Sequence, residues 1–288
     1  MEEKNRKLRD LIEDEAPILV PACIDAFSAK IVEKAGFQAN YLSGNGASAT
    51  TLGQPDIGLM TMSQMSSICS NITKATNIPL IADADTGYGN ALNVIRTVQE
   101  LETAGVSCIQ LEDQITPKHC GHFSGSKPVV PINEQLGKLK AALDTRKDDN
   151  LLIIARTDAA AEHGIEEAIK RANLFYEIGA DLTFIEIEGS PKDFENISRN
   201  VPGKYATTVD ESRIEAAFTV EELGKMGFKL IIFPGIIRCT YLKSIFDILT
   251  TLKKENSVDS KKHLMSTFKE YNDVLGKEDF DKLTKKYL

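Results

Sequence analysis

The sequence predicts an α/β fold, a (β/α)8 barrel of the TIM type with a C-terminal helical extension, on two observations. One grammar recurs four times: EKAGFQANYLSG, ETAGVSCIQLED, YEIGADLTFIEIE and GKMGFKLIIFPG each end a helix, pass a glycine and enter a β-rich run. Gly36, Gly105, Gly179 and Gly227 stand where a left-handed residue closes a helix. The runs that follow are too apolar to have a wet face, as in a parallel sheet covered on both sides. Further runs of the same kind, at 18–24, 78–81, 151–155 and 204–209, raise the number to eight. Helix-length segments lie between most of them, and eight such units in about 250 residues match a barrel. A doubly wound sheet would want GxGxxG after the first strand, and GYGN after Asp85 lacks that spacing.

In chain order, 7–14 reads as a short helix ahead of the first strand. Helices are expected at 26–35, 63–75, 91–104, 133–144, 165–178 and 220–225, with Asn90 and Thr219 as caps. A helix at 241–253 follows the eighth strand, and polar ENSVDS (255–260) marks a linker. The expected division is a catalytic barrel, 1–254, and a helical tail, 255–288. The tail has helical periodicity but too little apolar content to fold alone, so it must pack on its own barrel or on a partner subunit.

The formal net charge of −8 argues against a nucleic-acid or anionic-membrane binder, which would want a basic face. It leaves a local cationic pocket for a small carboxylate substrate open. The five cysteines show no zinc-like spacing and suit a reducing compartment. MEEKNRKLRDLIEDEA has no apolar core for a signal peptide, and no run approaches the roughly 20 residues that span a membrane. A cytoplasmic protein is expected.

A barrel builds its site where strands end. The third strand delivers Asp83 and Asp85, the fourth Glu112 and Gln114, the fifth Arg156 and Asp158, the sixth Glu186 and Glu188. Residues two apart share a face, so an acidic cluster opposite one arginine is expected. Oxygen ligands of this kind suit Mg²⁺ or Mn²⁺ with retained waters. ADADTGYGN (82–90) adds a flexible turn that lets a ligand approach the backbone. In the loop after the fourth strand, Cys120 lies between Lys118 and His122, where positive neighbours would favour the thiolate. Gly121 and Gly125 suit a lid. His119 and His122 around Cys120 are too close in sequence for a closed zinc site. His163 and His263 read as surface residues.

YLSGNG, LGQPDIG, ADADTGYGN, LEDQ, PKHCGH, IIARTDA and FIEIE together resemble the isocitrate lyase and phosphoenolpyruvate mutase superfamily, most closely its short 2-methylisocitrate and 2-alkylmalate lyases. The likeness spans about 20–252, and KxCGH is the signature of members that break carbon–carbon bonds. The resemblance implies a Mg²⁺-dependent retro-aldol lyase acting on 2-methylisocitrate, giving pyruvate and succinate, or on a related 2-alkylmalate. Asp83 would ligate the metal, Asp85 and Glu112 would hold its waters, and Asp56 would stand in the outer shell. Tyr41, Ser43, Gly44 and Asn45 would cradle the α-keto acid portion, although many members have glycine at Asn45. Arg156 would take a carboxylate, Glu186 would order the polar network, and Cys120 would be the acid on a mobile loop with Lys118, Gly121 and His122. It further implies a homotetramer whose last helix exchanges between subunits.

One segment departs from the pattern. Methylisocitrate lyases carry an Asn-x-x-Glu-Gly-Gly type stretch after the seventh strand, and here it is TVDESRIEA. Glu211 survives, Thr208 replaces the Asn, and smaller 2-alkylmalates or oxaloacetate come into play. A phosphonate mutase or phosphorus–carbon hydrolase of the same superfamily, and a binding paralogue without turnover, are the competing readings. KHCGH counts against the phosphonate reading.

Overall fold

A computed structural model of the chain describes residues 2–121, 123, 125–187, 189–209 and 218–288. Eight parallel strands close a barrel in sequence order: β1 (Ile18–Cys23), β2 (Asn40–Leu42), β3 (Leu80–Asp83), β4 (Cys108–Glu112), β5 (Leu152–Thr157), β6 (Leu182–Ile185), β7 (Tyr205–Thr208) and β8 (Phe228–Phe233). β8 pairs back onto β1 with Ile18 opposite Leu230.

The helices are α1 (Glu2–Glu13), α2 (Ala26–Lys34), α3 (Gly44–Leu52), α4 (Met62–Ala75), α5 (Ala91–Thr103), α6 (Ile132–Thr145), α7 (Ala160–His163), α8 (Ile165–Glu177), α9 (Pro191–Asn200), α10 (Val220–Lys225), α11 (Ile236–Glu255), α12 (Phe268–Leu275) and α13 (Lys277–Tyr287). Starts and stops follow local chemistry. Asp25, Thr61, Asn90 and Thr219 each cap a helix in a capping box, which satisfies amides that the first turn leaves bare. The glycines at 36, 105, 179 and 227 all have φ near +90°, so each recurring motif is a left-handed stop feeding a strand.

Two layers of core hold the barrel. Its interior is filled by Val20, Tyr41, Ile81, Ile154, Phe184 and Ile232, and Leu8 and Ile12 of α1 belong to the same cluster. Arg9 of α1 pairs with Asp181, which precedes β6, so α1 plugs the N-terminal mouth of the barrel. Outside the strands, Met65, Val98, Leu139 and Phe175 join the helices to the sheet. The C-terminal mouth is left for polar side chains.

Three helices escape the sequence reading. GNGASATTL (α3) has glycines in its first turn and no apolar stripe, and α7 is one turn long. PKDFENISRN (α9) buries only Phe194 and Ile197, too sparse a pattern to read. The last barrel helix also starts at Ile236, five residues earlier than expected, and the tail is split into a short 3₁₀ turn, α12 and α13. As expected, His163 and His263 are exposed.

Candidate active site

The strand ends converge on one cavity of about 30 Å³ at the C-terminal mouth. Tyr41, Ser43, Asn45, Asp56, Asp83, Glu112, Lys118, Cys120, Gly121, Arg156, Glu186 and Thr208 line it. Gly44 belongs to the same wall. A methyl added there would lie 3.1 Å from both Asp83 Oδ2 and Asp85 Oδ1, so the backbone itself abuts the acidic side. The Gly44 amide donates to Asp83 Oδ2 at 3.4 Å. His122 and Glu211 fall outside the described residues, as does Glu188.

Register explains the charge pairing. Glu112 stands opposite Arg156, and Arg156 opposite Phe184. The Arg156 guanidinium lies over the Phe184 ring, 5.2 Å from its centroid. Asp158 accepts from its Nε and Nη2 at 2.9 and 2.8 Å, a bidentate fork, and Glu112 and Glu186 approach at 3.5 and 3.4 Å. Asp158 is held in turn: its amide donates to Asp113, which also accepts from Thr157 Oγ1 at 2.7 Å and Arg171 Nη1 at 3.0 Å. Burial pushes the Asp113 carboxyl up, and these donors oppose the shift.

Lys118 is the second cation of the cavity. Its ammonium lies 2.8 Å from both Asp56 and Asp85. Burial alone would lower it, but Asp85, Glu112, Asp83 and Asp56 together hold it well above the usual lysine range. That charge is spent on carboxylates. Burial pushes Asp85 up to about 6 against the pull of Lys118, and pushes Glu112 well above the carboxylate range against Arg156. Gln114 does not join the cavity. Its amide clamps the His119 backbone, accepting from N and donating to O at 2.9 Å each.

Cys120 is buried, unlike Cys239, and sits in the loop held by that clamp. Its amide donates to the Asp56 carbonyl at 3.1 Å, and Asn45 Nδ2 reaches Sγ at 3.3 Å. Asn45 thus touches the thiol in addition to facing the cavity. The base of the loop is tied by Ile115 N to Pro128 O at 2.8 Å and by a bridge between Gln114 and Val129.

Two features of the site were not legible as such. Arg238, near the start of α11, adds a third cation to the cavity, so the acidic cluster does not face a single arginine. Its place just beyond the end of β8 was the available signal. The other is the Asp113–Arg171 pair, whose partners are 58 residues apart in sequence.

The donors fit a hard divalent cation. They are carboxylate oxygens, and Glu112 Oε1 is buried with no hydrogen-bond partner among the described residues. Among the described residues no three acidic, imidazole or thiol groups converge to chelate an ion alone. Mg²⁺ is commonly held by one or two carboxylates and its own waters, and oxygen donors of this kind are what it takes.

Comparison with known proteins identifies the family. The phosphoenolpyruvate phosphomutase family model matches residues 8–250. The chain is 41% identical to the 2,3-dimethylmalate lyase of Eubacterium barkeri, over 94% of each chain. It is 37% identical to the 2-methylisocitrate lyase of Aeropyrum pernix, over 96% of this chain and 88% of that one. Among solved structures, a phosphonopyruvate hydrolase in complex with oxalate and Mg²⁺ superposes with a TM-score of 0.89 at 27% identity, covering 99% of both. The chain belongs to the phosphoenolpyruvate phosphomutase family and is an enzyme of the PEP mutase/isocitrate lyase superfamily.

Proposed function

We propose that this chain is a Mg²⁺-dependent carbon–carbon lyase that cleaves a 2-hydroxy dicarboxylate of the 2-alkylmalate class, releasing pyruvate or another α-keto acid. The observation that carries the reading is the Cys120 thiol, buried in the same cavity as Asp83, Glu112 and Arg156. In the retro-aldol step the hydroxyl loses its proton to a carboxylate of the acidic wall and becomes the keto oxygen. The bond between C2 and C3 breaks, its electron pair passes to the second half, and Cys120 protonates that carbanion. Asp83 would bind Mg²⁺, with Asp85 and Glu112 on its waters and Asp56 beyond, and the bound ion would supply Lewis-acid polarisation of the substrate's oxygens.

Arg156, aimed by Asp158, binds one carboxylate. Arg238 is placed for a second, and Ser43, Gly44, Asn45 and Tyr41 shape the keto-acid end. A tricarboxylate such as 2-methylisocitrate would need further support where Thr208 stands, so the smaller acids are preferred. Buried Lys118 and Cys120 would also help keep bulk water from the carbanion.

The test is α-keto acid release with Mg²⁺ from 2,3-dimethylmalate, 2-methylisocitrate, isocitrate and oxaloacetate. Fastest release from the 2-alkylmalate is expected. Turnover of phosphonopyruvate alone would overturn the reading.

No helix among the described residues is long and apolar enough to cross a membrane. Phe246 on α11 and Phe268 on α12 are 69% and 82% exposed, with Leu242 and Leu249 beside the former. Such an apolar face suits assembly of the chain into a homotetramer. Light scattering that gave the 31.7 kDa monomer mass would refute that.

A further inference from the structure

We propose that Lys127 is a positioning residue: its ammonium, bonded to the Gly121 carbonyl, fixes the loop segment that carries Cys120. Lys127 is buried, and its Nζ donates to Gly121 O at 2.6 Å. A buried ammonium is costly unless strong acceptors meet it, so this placement is built into the fold. The carbonyl it holds belongs to a critical residue. A methyl at Gly121 would lie 2.7 Å from Arg156 Nη2 and from Glu186 Oε1, so the Gly121 backbone rests directly against that ion pair.

Lys127 does not line the catalytic cavity. It reaches Gly121 from a neighbouring hollow of about 530 Å³, which Phe123 and Ile187 also line. Gly121 and Glu186 line both spaces, and the contact Lys127 makes toward the catalytic side is the one to Gly121.

Besides its own bonds to Asp56 and Asn45, Cys120 is thereby flanked by an anchor on each neighbouring residue. On one side Gln114 grips both polar groups of the His119 backbone. On the other Lys127 grips Gly121. The Gln114 bonds are neutral, whereas the Lys127 bond is charge-assisted and the stronger of the two kinds. Loss of it alone shifts an opening equilibrium by roughly ten- to a hundredfold. With that anchor gone, the Asp56 carbonyl on the Cys120 amide and Asn45 on Sγ still hold the thiol, but its C-terminal side is less restrained and the sulfur's place above the reacting carbon is less exact.

The test is Lys127→Met in the full chain with Mg²⁺ present, read by peptide-resolved iodoacetamide labelling of Cys120 and of buried Cys69. Labelling of Cys120 should accelerate about tenfold or more, and kcat should fall by a similar factor with KM less affected. Lys127→Arg should recover most of both, and Cys69 should stay slow. Cys120 labelling within about twofold of wild type overturns the proposal, and so does a parallel rise at Cys69, which would mean general loosening. If Lys127→Met does not fold, Lys127→Gln decides on the same labelling criteria.

The kinetic arm rests on Cys120 as proton donor, but the labelling arm needs no substrate. Selective acceleration at Cys120 without lyase turnover upholds the anchor and counts against the proposed function. Unchanged labelling in an active lyase does the reverse.

Discussion

Gly121→Ala separates stability from catalysis at this site. The added methyl would lie 2.7 Å from Arg156 Nη2, Glu186 Cδ and Glu186 Oε1. Ordinary contact is about 3.5 Å or more, so roughly 0.8 Å of displacement must be found. The backbone at Gly121 is not left-handed, so alanine brings no strain of its own. Arg156 resists movement, because Asp158 holds two of its nitrogens and Phe184 lies under it. The displacement therefore falls on the Glu186 carboxylate or on the loop. Swinging a carboxylate end costs about 1 kcal/mol of stability at this kind of overpacked contact. Misplacing Cys120 or Glu186 by nearly 1 Å costs about a hundredfold in rate. The assay pairs kcat/KM for α-keto acid release with thermal unfolding of the same preparation. Activity within about threefold of wild type would refute the close fit of loop to ion pair. A collapse in melting temperature matching the lost activity would refute the separation of the two roles.

Three further outcomes are expected. Cys120→Ala should remove turnover while Mg²⁺ binding by calorimetry persists, and near-normal turnover would exclude the thiol as acid. Asp83→Asn, or chelation of the wild type by EDTA, should abolish activity; only the chelated wild type should recover with added Mg²⁺, and a variant active without metal would disprove the assignment. Asp113→Asn removes one of the two carboxylates on Arg171, leaving Glu167 and the Val130 carbonyl, so it should destabilise the fold by about 2 kcal/mol in urea unfolding and lower kcat through Asp158. A stability change below about 0.5 kcal/mol would show that the pair is not structural.

The barrel was legible because its signals are local. A left-handed glycine, a cap and an apolar run each sit within a dozen residues, and α2, α5 and α10 announce themselves this way. Asp83, Glu112 and Arg156 could be found because strand ends are where a barrel presents polar groups. The helix α3 was not legible, since it carries no apolar stripe, and α9 was passed over because its stripe is only Phe194 and Ile197 among polar residues. The same limit explains what was missed in the site. Asp113 looks like a second carboxylate beside Glu112, yet strand alternation turns it away from the cavity toward Thr157 and Arg171. Gln114 looks like a cavity residue by its spacing from Glu112. It is the chain's turn after β4 that aims it at the His119 backbone. Such roles depend on residues brought together only by the closed fold.

Sorting the cavity cations by how far their charge is already spent bears on the proposed substrate class. Lys118 is neutralised twice, by Asp56 and Asp85, so it organises the loop and the acidic wall and has little left for an incoming anion. Arg156 is forked by Asp158, and its remaining face is shared with Glu112 and Glu186 at longer range. It can orient a carboxylate, but with much of its charge balanced. Arg238 pairs with no carboxylate among the described residues, and its recorded partner is the Pro234 carbonyl at 2.8 Å. It is the cation with the most charge to offer. Among the described residues, two arginines unequal in this way suit the proposed acid with two carboxylates. Among the described residues, a third carboxylate, as in 2-methylisocitrate, would meet Glu186 or Thr208, a like charge or a single hydroxyl. Discrimination by an unpaired or repelled carboxylate is steeper than discrimination by size, so preference for the dicarboxylate should be set chiefly by this charge balance.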